Sequence, residues 1–218
     1  MLENILPAEV ACAEAFGDPP DAVLFPEEEA LLARAVDKRR REFTTGRHCA
    51  RRALADLGVP PVAIVPGERG APQWPPGIAG TITHCTGYRA AAVARTHDVV
   101  TLGMDAEPHE PLPGGVLAVI SLPGERERQH QLAAAMPGTC WDRLLFCAKE
   151  AVYKAWFPVA RRWLGFEDAD ITIDPDSGTF EARLLVPAAV IGDLPLTGFT
   201  GRWLAADGLL LTAVTVPA

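Results

Sequence analysis

The chain has 218 residues, 49% of them hydrophobic and 22% charged, which is the balance of a water-soluble globular protein with a sizeable core. No apolar run approaches the roughly 20 residues that cross a bilayer, so no membrane association is expected. A net charge of −8 argues against general nucleic-acid binding. The five cysteines are scattered and form no C-x-x-C pair, and the first residues lack a basic start followed by an apolar run. Both features predict a reduced, cytoplasmic protein without a secretory signal.

In chain order, residues 8–16 predict a short helix, Ala8 to Phe16, followed by a loop with Gly17, Pro19 and Pro20. Pro26 with three glutamates behind it marks a helix start, acids lying against the positive end of the dipole. Leu31, Leu32, Ala35 and Val36 continue that helix. A basic cluster follows: Lys38, Arg39, Arg40, Arg41, Arg47, Arg51 and Arg52 fall within fifteen residues. In an acidic protein such a cluster is either a solvated helix face or a site for an anion or acidic partner. A further helix is predicted from Thr44 or Thr45 to Leu57, stopped by Gly58, with Arg47 and Arg51 on one face.

Residues 66–80 are loop chemistry, rich in Pro and Gly, with Glu68 and Arg69 at the tip. Three β-like runs follow, Gly80–His84, Ala90–Arg95 and Val99–Met104, and predict an antiparallel sheet. The third leads into Asp105-Ala106-Glu107-Pro108, which puts both carboxylates on one side of an extended chain. Short helices are predicted over 116–121 and 123–135, and a long one over about 139–157. The last quarter reads as strands near 169–173, 179–185, 199–205 and 209–216, with turns at Asp176-Ser177-Gly178 and Asp207-Gly208. Helices, sheet, helices, sheet is an α+β order in two similar α/β halves, residues 1–104 and 105–218.

The long helix carries an unusual polar insert. Only three residues of the chain are lysines, and two of them, Lys149 and Lys154, lie here beside Glu150 and Tyr153. Glu150 and Lys154 are i,i+4 neighbours, which suits either a surface ion pair or one wall of a site. Asp105, Glu107 and Glu150 offer the hard oxygen ligands that Mg²⁺ takes alongside substrate phosphates. Arg39, Arg47, Arg69, Lys149 and Lys154 offer cations for a phosphorylated ligand. Together these are the parts of phosphoryl transfer: charge-holding cations and a carboxylate to accept a proton. His84, ending a predicted strand, is open to reading as a phosphate donor, a core histidine or, with Cys85, part of a thiol site. No P-loop, dinucleotide fingerprint or nucleophile elbow is present.

The blocks KRRREFTTGRHCAR (38–51), GERGAPQWP (67–75) with TITHC (81–85), LGMDAEP (102–108) and WDRLLFCAKEAVYKAWFP (141–158) complete the picture. With RRWLGFEDADI (161–171), they make the chain resemble the Sfp/EntD-type 4′-phosphopantetheinyl transferases, closest to the PptT-like branch. The resemblance implies two α/β halves with a pseudo-twofold and a ligand cleft between them. It implies Mg²⁺, with Mn²⁺ as an alternative ion, held by Asp105, Glu107 and Glu150. Glu150 would be the general base, and Lys149 and Lys154 would approach the phosphates, Lys154 stabilising the developing charge. Arg39, Arg47 and the Thr83-His84 step would hold the 3′-phosphate and pyrophosphate of coenzyme A. Tyr153, Trp163 and Phe146 would line the pantetheine arm. Where relatives carry lysine before a loop proline this chain has Ala71-Pro72, leaving Arg69 as the nearest cation.

The activity so implied is transfer of the phosphopantetheine arm to a serine of an acidic acyl or peptidyl carrier protein, releasing 3′,5′-ADP. The carrier would serve fatty acid, polyketide, nonribosomal peptide or siderophore assembly, and the enzyme is expected to be a monomer. The rival expectations are a non-catalytic coenzyme A-binding protein and a Mg²⁺-dependent phosphohydrolase.

Overall fold

Two 20-residue helices, each laid on an antiparallel sheet, organise the chain in the computed structural model, which describes residues 1–218. The N-terminal half comprises β1 (Ala11–Phe16), α1 (Pro26–Ala30), α2 (Asp37–Asp56), β2 (Ile78–Cys85) and β3 (Tyr88–Arg95). The C-terminal half begins with β4 (Val99–Pro108), α3 (Val116–Ile120), α4 (Pro123–Ala135) and α5 (Trp141–Ala160). It continues with β5 (Ala169–Asp174), β6 (Thr179–Leu184), β7 (Ala189–Ile191), β8 (Leu194–Leu196), β9 (Gly198–Ala206) and β10 (Leu209–Pro217). This is the expected α+β class. The sheets run β1-β3-β2 and β4-β10-β9-β6-β5, and β7-β8 is a separate hairpin. No helix is long and apolar enough to cross a membrane.

Several local expectations change. Residues 11–16 form a strand, not a helix, because Ala13 and Ala15 alternate into the core while paired to β3. Alanine's helix preference yields here to a period-2 burial pattern. Helix α1 stops at Ala30, short of the expected run to Val36. Helix α2 starts at Asp37 and so takes in the basic cluster. Thr44, expected near its start, is interior; its hydroxyl donates to Arg40 O at 2.8 Å, which satisfies it within the helix. Helix α5 runs three residues past its expected end and contains Pro158.

β3 is buried on both faces. Ala91 and Val93 pack under Ala50, Ala53 and Leu54 of α2, whereas Ala90, Ala92 and Ala94 join a second cluster with Leu102, Met104 and Leu211. That second cluster draws on both halves and fastens them together. The C-terminal core gathers Trp156, Leu144, Leu145 and Val152 of α5 against Ile171, Phe180 and Leu210. Each such large side chain contributes about 1.5–3 kcal/mol through removal from water.

β4 is where the halves meet. It pairs with β10 from Val99 to Pro108, so the boundary expected between residues 104 and 105 falls inside one strand. The three runs expected as one sheet therefore separate, β2 and β3 into one sheet and β4 into the other. Threonines of β2 bridge the gap. Met104 N–H donates to Thr81 Oγ1 at 3.3 Å, and Ala106 N–H donates to Thr83 Oγ1 at 3.1 Å.

Candidate active site

A cleft of about 680 Å³ opens between the halves. α2, the 67–74 loop and β2 form one wall, and the C-terminal part of α5 forms the other. Two glycines set its shape. A Cβ on Gly103 would stand 2.0 Å from Ala151 O and 2.5 Å from Ala155 N, so only glycine lets α5 lie this close on β4. Thr101 Oγ1 donates to Ala155 O at 2.7 Å beside it. A Cβ on Gly80 would meet the Trp74 ring at 2.5 Å; the indole N–H donates to Gly80 O at 2.9 Å and holds the loop against β2.

At the centre Lys154 reaches from α5 to β4. Its ammonium donates to Asp105 Oδ1 at 2.7 Å, Met104 O at 3.1 Å and Thr83 Oγ1 at 3.4 Å. Glu150 is thus not its ion-pair partner; it lines the cleft instead. Burial works against charge on Lys154, but Asp105 outweighs it and the net shift is upward. Asp105 is buried, and its Oδ2 has no hydrogen-bond partner. Burial, then the negative charge of Asp105, pushes both Glu107 and Glu150 above the usual carboxylate range. Glu107 Oε2 accepts from Arg143 at 2.8 Å.

The cations of the other wall come from α2. Arg47 stacks 3.7 Å above the Phe43 ring and donates through Nε to Ile64 O at 3.0 Å. Burial lowers its pKa to about 10, so it stays charged at neutral pH. Arg39 stands 3.4 Å from His84 Nε2. At the mouth Arg69, in the left-handed region at φ 52°, stacks 5.4 Å from Trp163, and Tyr153 lies 5.0 Å from the same ring.

The cleft therefore gathers Arg39, Arg47, Arg69, His84, Glu150, Tyr153 and Lys154, with Trp163 stacked on two of them. Asp105 and Glu107 do not line the cleft; they stand on β4 beside it, Asp105 held by Lys154 and Glu107 by Arg143. Three further expected residues lie elsewhere. Lys149 is buried against Glu125 at 2.9 Å and donates to Phe166 O and Ala169 O, because it points to the far side of α5. Thr83 does not line the cleft; its hydroxyl is used up by Asp105 at 2.9 Å and by Ala106 N–H. Phe146 packs on Phe166 beside the C-terminal core. Arg51, expected beside Arg47 over an anion, instead pairs with buried Glu28 at 2.9 Å.

Two site residues escaped the sequence reading. Arg143 stands seven residues before Glu150, hence on the same helical face, a signal that was legible. Glu42, which also lines the cleft, lies on α2 next to its cations.

The carboxylates suit a hard divalent cation, although no three His, Cys, Asp or Glu side chains already converge into a cage. Mg²⁺ needs no such cage: it takes one or two carboxylates, keeps waters and completes its shell with phosphates. The buried, unpartnered Asp105 Oδ2 and the crowding of three acids are what such an ion would relieve.

Fold and cleft define a 4′-phosphopantetheinyl transferase, and the chain belongs to that superfamily. Residues 27–94 match the 4′-phosphopantetheinyl transferase N-terminal domain, and residues 101–191 match the 4′-phosphopantetheinyl transferase superfamily. The chain is 55% identical to 4′-phosphopantetheinyl transferase Svp of Streptomyces mobaraensis, over 100% of this chain and 90% of that protein. It is 55% identical to 4′-phosphopantetheinyl transferase Npt of Nocardia iowensis (98% and 99% covered). It is 51% identical to 4′-phosphopantetheinyl transferase PptT of Mycobacterium tuberculosis (99% and 98% covered), which supports the PptT-like branch.

Proposed function

We propose that this transferase moves the 4′-phosphopantetheine arm of coenzyme A to a carrier-protein serine with Mg²⁺ bound at Asp105, Glu107 and Glu150. The observation that carries this reading is the buried Asp105 whose one oxygen binds Lys154 and whose other has no partner. Mn²⁺ has the same preference for oxygen donors and would serve as an alternative ion. When bound, the ion neutralises charge on the pyrophosphate and polarises it toward attack.

The protein's own groups account for the rest. Arg39, Arg47 and His84 hold the 3′-phosphate and the pyrophosphate, with Arg69 contributing at the mouth. Tyr153 and Trp163 form the wall for the pantetheine arm. Glu150 takes the proton from the carrier serine hydroxyl, directly or through a water; burial and its acidic neighbours raise its basicity. The serine oxygen bonds to the β-phosphorus, the bond from that phosphorus to the bridging oxygen breaks, and 3′,5′-ADP leaves with the electron pair. Lys154 balances the charge that develops on the phosphoryl oxygens.

The carrier is an acidic acyl or peptidyl carrier domain of fatty acid, polyketide, nonribosomal peptide or siderophore assembly. Exposed Lys38 and Arg41 at the start of α2 offer it a complementary surface. Five free cysteines fit a reducing cytoplasm, and the working unit in this reading is a monomer. The test is incubation with coenzyme A, Mg²⁺ and an apo-carrier, read by intact mass. A gain equal to one phosphopantetheine group is expected and should vanish with chelator. Coenzyme A hydrolysis without carrier modification would overturn the reading.

A further inference from the structure

The phosphate end of the cleft contains an acid that the transfer chemistry does not use. Glu42 lies on α2, three residues after Arg39, and lines the same wall. Its side chain is only 10% exposed. An acid buried among groups meant for phosphate is costly unless it has work of its own. Its Oε2 stands 3.8 Å from His84 Nδ1, and its Oε1 stands 3.9 Å from Lys38 Nζ. On the far side of the ring, Arg39 NH1 lies 3.4 Å from His84 Nε2. Arginine can only donate, so Nε2 accepts there and Nδ1 carries the hydrogen, facing Glu42.

We propose that Glu42 is the positioning residue for His84. It keeps the imidazole turned by its Nδ1–H, so that Nε2 takes up a proton and becomes a donor when a phosphate monoester enters and draws Arg39 off the ring. The inference rests on the coenzyme A reading of the cleft, in which that monoester is the 3′-phosphate.

The surrounding charges explain why the proton arrives with the ligand. Burial holds His84 toward its neutral form, and Lys154 of α5, Arg39 of α2 and Arg89 of β3 push the same way. Glu42 is the opposing influence. A dianionic phosphate adds to the side of Glu42 and tips the balance. Binding raises the proton affinity of His84, so affinity is full below the pKa of the free protein and is lost as pH rises through the pKa of the complex. Removing the Glu42 charge moves that fall to lower pH.

The first experiment uses the unaltered protein. Calorimetric titration in two buffers of different ionisation enthalpy, near neutral pH, should show uptake of about one proton with coenzyme A and none with 3′-dephospho-coenzyme A. The second compares Glu42→Gln with wild type. Loss of the Glu42 charge should raise the KM for coenzyme A several-fold at about pH 8 and move the rise of KM to lower pH. The kcat at saturating coenzyme A should change far less, and neither pH profile should move with the 3′-dephospho form. Equal proton uptake with both ligands, superimposable profiles, or the same shift with both ligands overturns the positioning role. Failure of wild type to bind either ligand rejects the cofactor reading itself, and the role with it.

Discussion

Each half of the chain buries one glutamate by the same device. In the N-terminal half, Pro26 opens α1 and Glu28 accepts Phe25 N–H at 2.9 Å, Ile64 N–H at 2.7 Å and the Arg51 guanidinium of α2. In the C-terminal half, Pro123 opens α4 and Glu125 accepts Leu122 N–H at 2.7 Å, Ile171 N–H at 2.7 Å and the Lys149 ammonium of α5. Each acid thus locks a short helix, the long helix and an incoming chain segment together. The difference lies in what surrounds the cation. Arg51 sits on a helix whose cleft face carries Arg39 and Arg47, whereas Lys149 is followed by Glu150 and Lys154. At 100° per residue, fixing Lys149 on Glu125 turns Glu150 by 100° and Lys154 by 140°, which places both on the opposite side, toward β4. The anchors match, but one half presents cations to the cleft and the other a carboxylate and a lysine; in the proposed function the first grip phosphate and the second do the chemistry.

The largest effect should separate those two jobs. Glu150→Gln should lower kcat by about 10³-fold, the scale of losing a general base, with coenzyme A binding largely retained. Arg39→Ala should act the opposite way, raising the KM for coenzyme A with little change in kcat. Steady-state kinetics with an apo-carrier reads both. Normal turnover by Glu150→Gln would break the division.

The second effect compares the anchors themselves. Glu125→Ala leaves the Lys149 ammonium, 2% exposed, buried without its counter-ion, and should cost about 3–5 kcal/mol of stability. Burial already lowers the Lys149 pKa despite Glu125, so the loss falls on a group that is costly to keep charged. Arg51 is 12% exposed and also donates to Val23 O. Glu28→Ala should therefore cost less, about 2 kcal/mol, the worth of a charged hydrogen bond. Denaturant melts of the two variants give the order; equal losses would mean that the anchors are equivalent.

Much of this was legible in the residues. Periodicity puts Asp105 and Glu107 on one side of an extended chain and Glu150 and Lys154 on one helix face, and the structure joins the two elements there through Lys154 and Asp105. What periodicity does not carry is which way a helix is rotated. Lys149 next to Glu150 reads as one polar insert, yet adjacent helix positions point 100° apart. The rotation is set by Glu125, 24 residues upstream, through a contact that no local pattern displays. The repeat of apolar-Pro-x-Glu at 25–28 and 122–125 was the available clue. The strand at 11–16 was hidden differently: alanine fits both periods, and only its pairing with β3 decides. Thr83 was expected at the phosphates from the family resemblance, and no local pattern shows where its hydroxyl goes. It substitutes for a backbone partner between two sheets.

The smallest effect is the sharpest test of the comparison. If Lys149 is an anchor and not a phosphate contact, its charge can be removed together with its need for a counter-ion. Lys149→Met combined with Glu125→Gln keeps an amide oxygen for the Ile171 N–H and an apolar chain of similar length in the helix. Replacing a buried ion pair with neutral groups of similar volume is often near neutral. Here the carbonyls of Phe166 and Ala169 also lose their donor, so a loss of about 1–3 kcal/mol is expected. The KM for coenzyme A should not change, because the nearest cleft-lining neighbour, Glu150, keeps its orientation from Gly103 and Thr101 beneath α5. A clear rise in KM, with the protein still folded, would return Lys149 to the phosphates and make the two anchors unlike in kind.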